Sequence, residues 1–196
     1  TGGDAKIVSL VGYTNAGKSA LFNKITSSGV IERNQLFSTL DTTTRRLYLP
    51  SGTSATLSDT VGFVHKLPPI LVAAFRATLE EALEADLLIQ VVDVSSPYAS
   101  EQAQVVSDQL ADLGIEDTPR ILVLNKFDLV AGSSDEPLGL SVLDQIDVSQ
   151  FSRVITTSAI KGWGIADLRD AIEVEVGLVE VEAEFEDSAD LIGSEV

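Results

Sequence analysis

Apolar and polar positions along this chain fall into blocks that predict strands followed by helices. Residues 6–11 (KIVSLV) form a continuous apolar run that leads into Gly12-Tyr13-Thr14-Asn15-Ala16-Gly17-Lys18-Ser19. Leu21, Phe22 and Ile25 follow at helical spacing. The order there is strand, glycine-rich turn, helix. A polar stretch runs to Arg45, and the apolar positions of residues 46–49 and 55–58, on either side of a Pro50-Ser51-Gly52 turn, predict a hairpin. Pro68-Pro69 suit a helix entry, after which Leu71, Ala74, Phe75, Leu79 and Leu83 share one face up to about Ala85. Residues 87–94 (LLIQVVDV) and 121–124 read as buried strands separated by an amphipathic helix over 102–113, an arrangement that parallel pairing explains. Residues 154–157 predict a last strand and 165–172 a last helix, while 131–137 read as a polar surface loop. No internal repeat is present. The expected fold is α/β, a doubly wound, mostly parallel sheet flanked by helices, with ligands bound beyond the carboxyl ends of the strands.

Composition narrows the chemistry. The 196 residues, 44% hydrophobic and 22% charged, suit one domain with a real core. No apolar run reaches the roughly 18 residues of a membrane-spanning helix, and Thr1-Gly2-Gly3-Asp4 lacks the features of a signal peptide, so a cytoplasmic protein is expected. A chain with no methionine reads as a piece of a longer protein. With no cysteine and one histidine, His65, neither disulfides nor thiolate or imidazole metal sites are available. A net charge of -17 argues against strong direct binding of this fragment to nucleic acid or anionic lipid. The acidity fits either a salt-rich cytosol or ordinary solubility charge.

Gly12 to Ser19 fits G-x-x-x-x-G-K-[ST] in its required context, after a strand and opening a helix. Backbone N–H groups of Gly12, Tyr13, Thr14, Asn15, Ala16, Gly17, Lys18, Ser19 and Ala20 can encircle phosphates there, with Lys18 as a mobile cation and Ser19 offering a hydroxyl to Mg²⁺. A glycine-rich turn that merely joins strand to helix is the plain alternative. In Asp59-Thr60-Val61-Gly62, at the end of the third strand, the acid can hold the Mg²⁺ water shell and the Gly62 N–H can touch a γ-phosphate; a capping aspartate is the alternative. Asn125-Lys126-Phe127-Asp128 follows a strand, and the Asp128 carboxylate can accept the ring N–H and amino group that guanine presents and adenine does not. An N-cap cluster is the plain reading of those residues. Ser158, Ala159 and Ile160, after the last strand, can close over the base.

These motifs, in this order, resemble the translation-factor-related GTPases, a class of P-loop NTPases with a Ras-like G domain. The blocks Gln35-Leu36-Phe37-Ser38-Thr39-Leu40-Asp41-Thr42-Thr43-Thr44-Arg45-Arg46, Asp59-Thr60-Val61-Gly62-Phe63-Val64 and Leu67-Pro68, with Leu71-Val72-Ala73-Ala74-Phe75-Arg76-Ala77-Thr78-Leu79-Glu80-Glu81 beyond, are similar to the G domain of the HflX family over roughly residues 7–172. The resemblance implies a G domain over 1–177 that hydrolyses GTP to GDP as a conformational switch, acts as a monomer, and works with the large ribosomal subunit in splitting or rescuing ribosomes under stress. The ribosomal contact is expected through regions outside this chain. A guanine-nucleotide-sensing module with negligible turnover unless a ribosomal partner is present is the alternative. The resemblance also implies that Phe37, Ser38, Thr39, Leu40 and Asp41 line the nucleotide. Thr39 completes the Mg²⁺ shell with Ser19 and Asp59, and Thr42, Thr43 and Thr44 are rival hydroxyls. Thr42 and Ala20 depart from the family's usual proline and threonine, and neither removes a ligand.

Many signalling GTPases place a water-orienting glutamine after the glycine, and this chain has Phe63, which cannot orient water by hydrogen bonding. Slow basal hydrolysis is expected. Asn15 in the phosphate loop points by resemblance to K⁺ beside the phosphates, so Lys18, Thr39, Gly62 and Asn15 are the expected catalytic groups. Arg45 or Arg46 could reach the phosphates instead, although both are expected to face solvent at the start of a strand. His65, Trp163 and Asp93 are read as surface, packing and capping residues. In the acidic segment 178–196, Val179, Val181, Ala183 and Phe185 alternate with glutamates, so it reads either as the first strand of a further domain or as a disordered tail.

Overall fold

The expected first strand forms β1 (Ile7–Gly12), and the helix after its turn is α1 (Lys18–Thr26). The computed structural model describes residues 6–26, 43–60, 84–131 and 138–177. Within them follow β2 (Thr43–Tyr48), β3 (Ser54–Asp59), β4 (Leu87–Asp93), α2 (Ala99–Asp112), β5 (Arg120–Asn125), α3 (Leu138–Gln145), β6 (Arg153–Thr156) and α4 (Ile165–Glu175). The sheet has six strands in the order β2-β3-β1-β4-β5-β6. Every pairing is parallel except β2 with β3. Strand order reverses around β1, which has β3 on one side and β4 on the other. Open α/β sheets leave a ligand crevice at such a reversal, outside the carboxyl ends of the strands.

Both faces of the central strands are covered, which is why their sequences read as unbroken apolar runs. On one face Val8, Leu10, Leu57, Ile89, Val91 and Val123 pack against Leu21, Phe22 and Ile25 of α1 and Leu168 and Ile172 of α4. On the other, Val11 and Leu88 meet Val106 and Leu110 of α2, and Val92, Leu122 and Leu124 meet Ala99 and Ala103. Each such leucine or valine contributes roughly 1.5–3 kcal/mol by burial.

The buried polar residues on the α2 side include Ser9 and Ser58, whose hydroxyls lie 2.9 Å apart, and also Gln90 and Arg120. Gln90 is fully buried and donates from Nε2 to the Ala103 carbonyl at 3.1 Å. Arg120, at the amino end of β5, donates from Nη1 to Gln90 Oε1 (3.0 Å) and Ser107 Oγ (3.4 Å), and from Nη2 to Gln150 Oε1 (3.1 Å). Its guanidinium also lies 5.0 Å from the centre of the Phe151 ring. On the opposite face, one carboxylate ties the hairpin turn to α4. Glu173 Oε1 accepts from Ser51 N at 3.0 Å, from the Ser51 hydroxyl, and from Thr53 Oγ1 at 3.2 Å.

The hairpin begins earlier than its apolar pattern predicted. β2 starts at Thr43, which pairs with Asp59, because an edge strand needs few apolar positions: Leu47 is buried while Thr44, Arg46 and Tyr48 are exposed. The solvent-facing expectation holds for Arg46 and not for Arg45, which shares the inward side with Leu47 and has its Nε buried. Helix α3 was not anticipated; Val142 and Leu143, with Ile146 just beyond its end, pack against the α2-side core. α2 begins at Ala99 and α4 runs on to Glu175, each three residues past the predicted limit. The last strand lies one residue earlier than predicted. The predicted helix up to Ala85 falls almost wholly outside the described residues, as do most of the 131–137 loop, His65 and segment 178–196.

Candidate nucleotide-binding site

The phosphate-loop residues form the turn between β1 and α1. Gly12 is required there, since a Cβ would stand 2.7 Å from the Val91 carbonyl oxygen. Gly17 has a φ of +88°, and a Cβ on it would collide with the Asn125 side-chain amide. Asn15 also takes a left-handed backbone, with φ 65°. α1 opens directly at Lys18, so its first N–H groups and positive dipole end face this turn.

Lys18 is only 7% exposed and Asp59, at the end of β3, 2%. Lys18 Nζ donates to Asp59 Oδ1 at 2.9 Å and to the Thr60 carbonyl at 2.5 Å. Ser19 Oγ lies 3.3 Å from Asp59 Oδ2, as donor to it. Thr60 is itself fixed, its hydroxyl donating to the Leu10 carbonyl at 2.7 Å. A hydroxyl beside a carboxylate is a hard oxygen pair of the kind Mg²⁺ takes alongside phosphate and water. Among the described residues no three acidic or histidine side chains converge on one point, so phosphate and water oxygens would have to complete such a shell.

On the other flank Asn125 ends β5. Its Nδ2 donates to the Ala16 carbonyl at 3.0 Å, and its Oδ1 accepts from Thr157 Oγ1 (3.0 Å) and Ala159 N (3.4 Å). One amide thereby ties the phosphate loop to the loop after β6. Lys126, with φ 61°, extends its ammonium to the Asn15 carbonyl at 2.8 Å and to Asp93 Oδ2 at 3.1 Å. Asp128 Oδ1 accepts from Ser158 Oγ at 2.8 Å, and the same serine oxygen accepts from Lys161 N at 3.1 Å. Ser158 and Trp163 pair through their backbones, and Trp163 is 46% exposed. Gly164, with φ 73°, passes so close to the Thr156 carbonyl that no side chain fits.

The structure therefore brings the phosphate-loop residues, Asp59, Thr60, Asn125, Lys126, Asp128, Ser158 and Ala159 to one edge of the sheet. Ile160 is in the same loop, 73% exposed. Phe37, Ser38, Thr39, Leu40, Asp41, Val61 and Gly62 lie outside the described residues. Two contributors escaped the sequence reading. Thr157 gives its hydroxyl to Asn125, and Asp93, read as a cap, does accept from Ser95 N at 2.9 Å but also pairs with Lys126. Asp93 reaches Lys126 because the parallel register sets it beside Asn125, a neighbour that the sequence alone does not fix.

A phosphate loop between the first strand and helix, an aspartate ending the neighbouring strand and Asn-Lys-x-Asp ending another define, on this sheet, the class of P-loop GTPases. The chain belongs to the family of 50S ribosome-binding GTPases, whose sequence pattern matches residues 7–126. It is 46% identical over 170 residues to GTPase HflX of Caldanaerobacter subterraneus subsp. tengcongensis, covering 87% of this chain and 36% of that protein. To GTPase HflX of Akkermansia muciniphila it is 48% identical over 163 residues, covering 83% of this chain and 36% of the relative. The chain thus spans little more than a third of these relatives. Among solved structures it is similar to a GTP-binding protein from Sulfolobus solfataricus in complex with GDP, with 29% identity and a TM-score of 0.71, covering 89% of this chain and 53% of that one. Among the described residues no helix is long and apolar enough to cross a membrane.

Proposed function

We propose that this chain binds guanine nucleotide along the carboxyl edge of its sheet and hydrolyses GTP to GDP and phosphate as a conformational switch. The bridge from Asn125 to the Ala16 carbonyl carries the reading, because it joins a base-recognising strand end to a phosphate-binding turn. Lys18 leaves Asp59 and the Thr60 carbonyl to meet the β- and γ-phosphates, and the N–H groups of residues 12–20 surround them. Ser19, Asp59 and Thr39 hold Mg²⁺, which neutralises phosphate charge when bound. The Gly62 N–H meets the γ-phosphate, and residues 37–41 and Val61 complete the enclosure. Asp128 accepts from the guanine N–H and amino group, while Ser158, Ala159 and Ile160 cover the base.

Asn15 would hold K⁺ beside the phosphates, where the ion would supply positive charge in the transition state, and Phe63 cannot orient the attacking water by hydrogen bonding. The large ribosomal subunit is the partner, contacted through regions beyond this chain, and the domain acts as a cytoplasmic monomer. Phe63 also favours a second reading, a nucleotide sensor whose turnover is negligible without the ribosome. Single-turnover hydrolysis with and without ribosomes separates the two.

Asp128→Asn tests the base assignment. Each unpaired donor costs about 1–3 kcal/mol, so GTP affinity should fall at least about tenfold while xanthosine triphosphate affinity rises. Unchanged GTP affinity in that variant refutes the assignment.

A further inference from the structure

Among the described residues only two other than glycine adopt a left-handed backbone, Asn15 (φ 65°) and Lys126 (φ 61°). They are held by one another, since Lys126 Nζ donates to the Asn15 carbonyl at 2.8 Å. Backbone in this region is costly and persists only where its surroundings fix it. The ammonium group that joins the two strained residues sits on a flexible four-carbon stem, and a lysine left to itself would turn it into water.

Asp93 prevents this. Its Oδ2 pairs with Lys126 Nζ at 3.1 Å, and its Oδ1 accepts from Ser95 N at 2.9 Å and Ser95 Oγ at 2.5 Å, so the carboxylate cannot swing away. The register of β4 on β5 sets Asp93 directly beside Asn125, one residue before Lys126. The pair is too exposed to matter much for stability, with side chains 32% and 17% accessible, because water screens its charges. What it fixes is the position of a donor.

Resting on the nucleotide site proposed above, we infer that Asp93 is a positioning residue for that site. It anchors the Lys126 ammonium against the Asn15 carbonyl and so holds the phosphate loop in its binding shape before nucleotide arrives. A loop already ordered spends less of the binding free energy on ordering. Its effect therefore falls on GDP and GTP alike and leaves base choice to Asp128.

Asp93→Asn keeps an acceptor for Ser95 and removes the charge facing Lys126. Measured on this chain with fluorescent guanine nucleotides, it should weaken GDP and GTP binding severalfold, up to about fivefold, as the loss of one partly exposed ion pair allows, with the preference for guanine over xanthine unchanged. Lys126→Met should weaken binding at least as much, and the double variant should bind no worse than Lys126→Met alone. The nucleotide-free thermal midpoint of Asp93→Asn should stay within about 2 °C of the parent's, as expected for a partly exposed pair. Unchanged GDP affinity in Asp93→Asn, or losses that add in the double variant, would overturn the inference. So would a fall in nucleotide-free stability large enough to account for the weaker binding. If the parent chain itself binds no guanine nucleotide, the reading of the whole site fails, and this inference with it.

Discussion

Two cations, Lys18 at the carboxyl end of the sheet and Arg120 at its amino end, are buried to the same degree, each 7% exposed. Their partners differ. Lys18 is held by a carboxylate and a carbonyl, whereas Arg120 is held by two amide oxygens, a hydroxyl and an aromatic ring, with no carboxylate among the described residues. Burial alone disfavours the charged form of Arg120 and lowers its pKa. A compact ammonium resting on an acid can be handed to an arriving phosphate, while Asp59 turns to other positive charge. A planar guanidinium gripped at several points by neutral groups has nowhere else to go. The first arrangement suits a site that changes state, and the second suits a staple between β4, β5 and α2.

The sharpest way to break this contrast is Lys18→Ala. It should cost nucleotide affinity about 100-fold or more, since two charged hydrogen bonds to phosphate disappear. The rise in thermal midpoint on adding GTP and Mg²⁺ should vanish with it, which a melting series reads directly.

Arg120→Met should do the reverse. Leaving Gln90, Gln150 and Ser107 without their donor should lower stability by about 1–3 kcal/mol in urea unfolding, with GTP affinity within about twofold of the parent's. A nucleotide defect in that variant would erase the distinction between the two ends.

Glu173 sharpens the comparison from the acid side, as a carboxylate held by hydroxyls instead of a cation. The Ser51 hydroxyl, with the Ser51 N–H and Thr53, holds its pKa below the usual glutamate value against the opposing effect of burial. Its folded value is depressed, so its contribution is present above the unfolded value of about 4.3 and is lost as pH falls through the folded one. The stability gap between the parent and Glu173→Gln should be constant from pH 5 to 7, roughly, and close below about pH 4. A gap that widens on acidification contradicts the assignment. The smallest effect concerns ion identity. KCl in place of NaCl at equal ionic strength should raise GTP turnover, and Asn15→Ala should remove the difference, because general screening is common to both salts.

The central strands were legible in the sequence because both of their faces are covered, and the phosphate loop because its glycines answer to clashes with the Val91 carbonyl and the Asn125 side-chain amide. The start of β2 was not legible, since an edge strand carrying Thr44 and Arg46 outward shows no apolar run. Nor was α3. Asp93 was read as a cap, and it is one. Its second role depends on which strand lies beside it, and sheet order is set by packing of segments distant in sequence. The Arg120 staple was hidden for the same reason, its partners coming from β4, α2 and the turn before β6.

Single-turnover hydrolysis of GTP at saturating protein, in KCl with Mg²⁺, tests most directly the claim that the Lys18 end of the sheet works on nucleotide and the Arg120 end does not. Phosphate should be released above the protein-free blank by the parent chain, at an unchanged rate by Arg120→Met, and not at all by Lys18→Ala. Release that survives Lys18→Ala, or is lost equally in both variants, contradicts it.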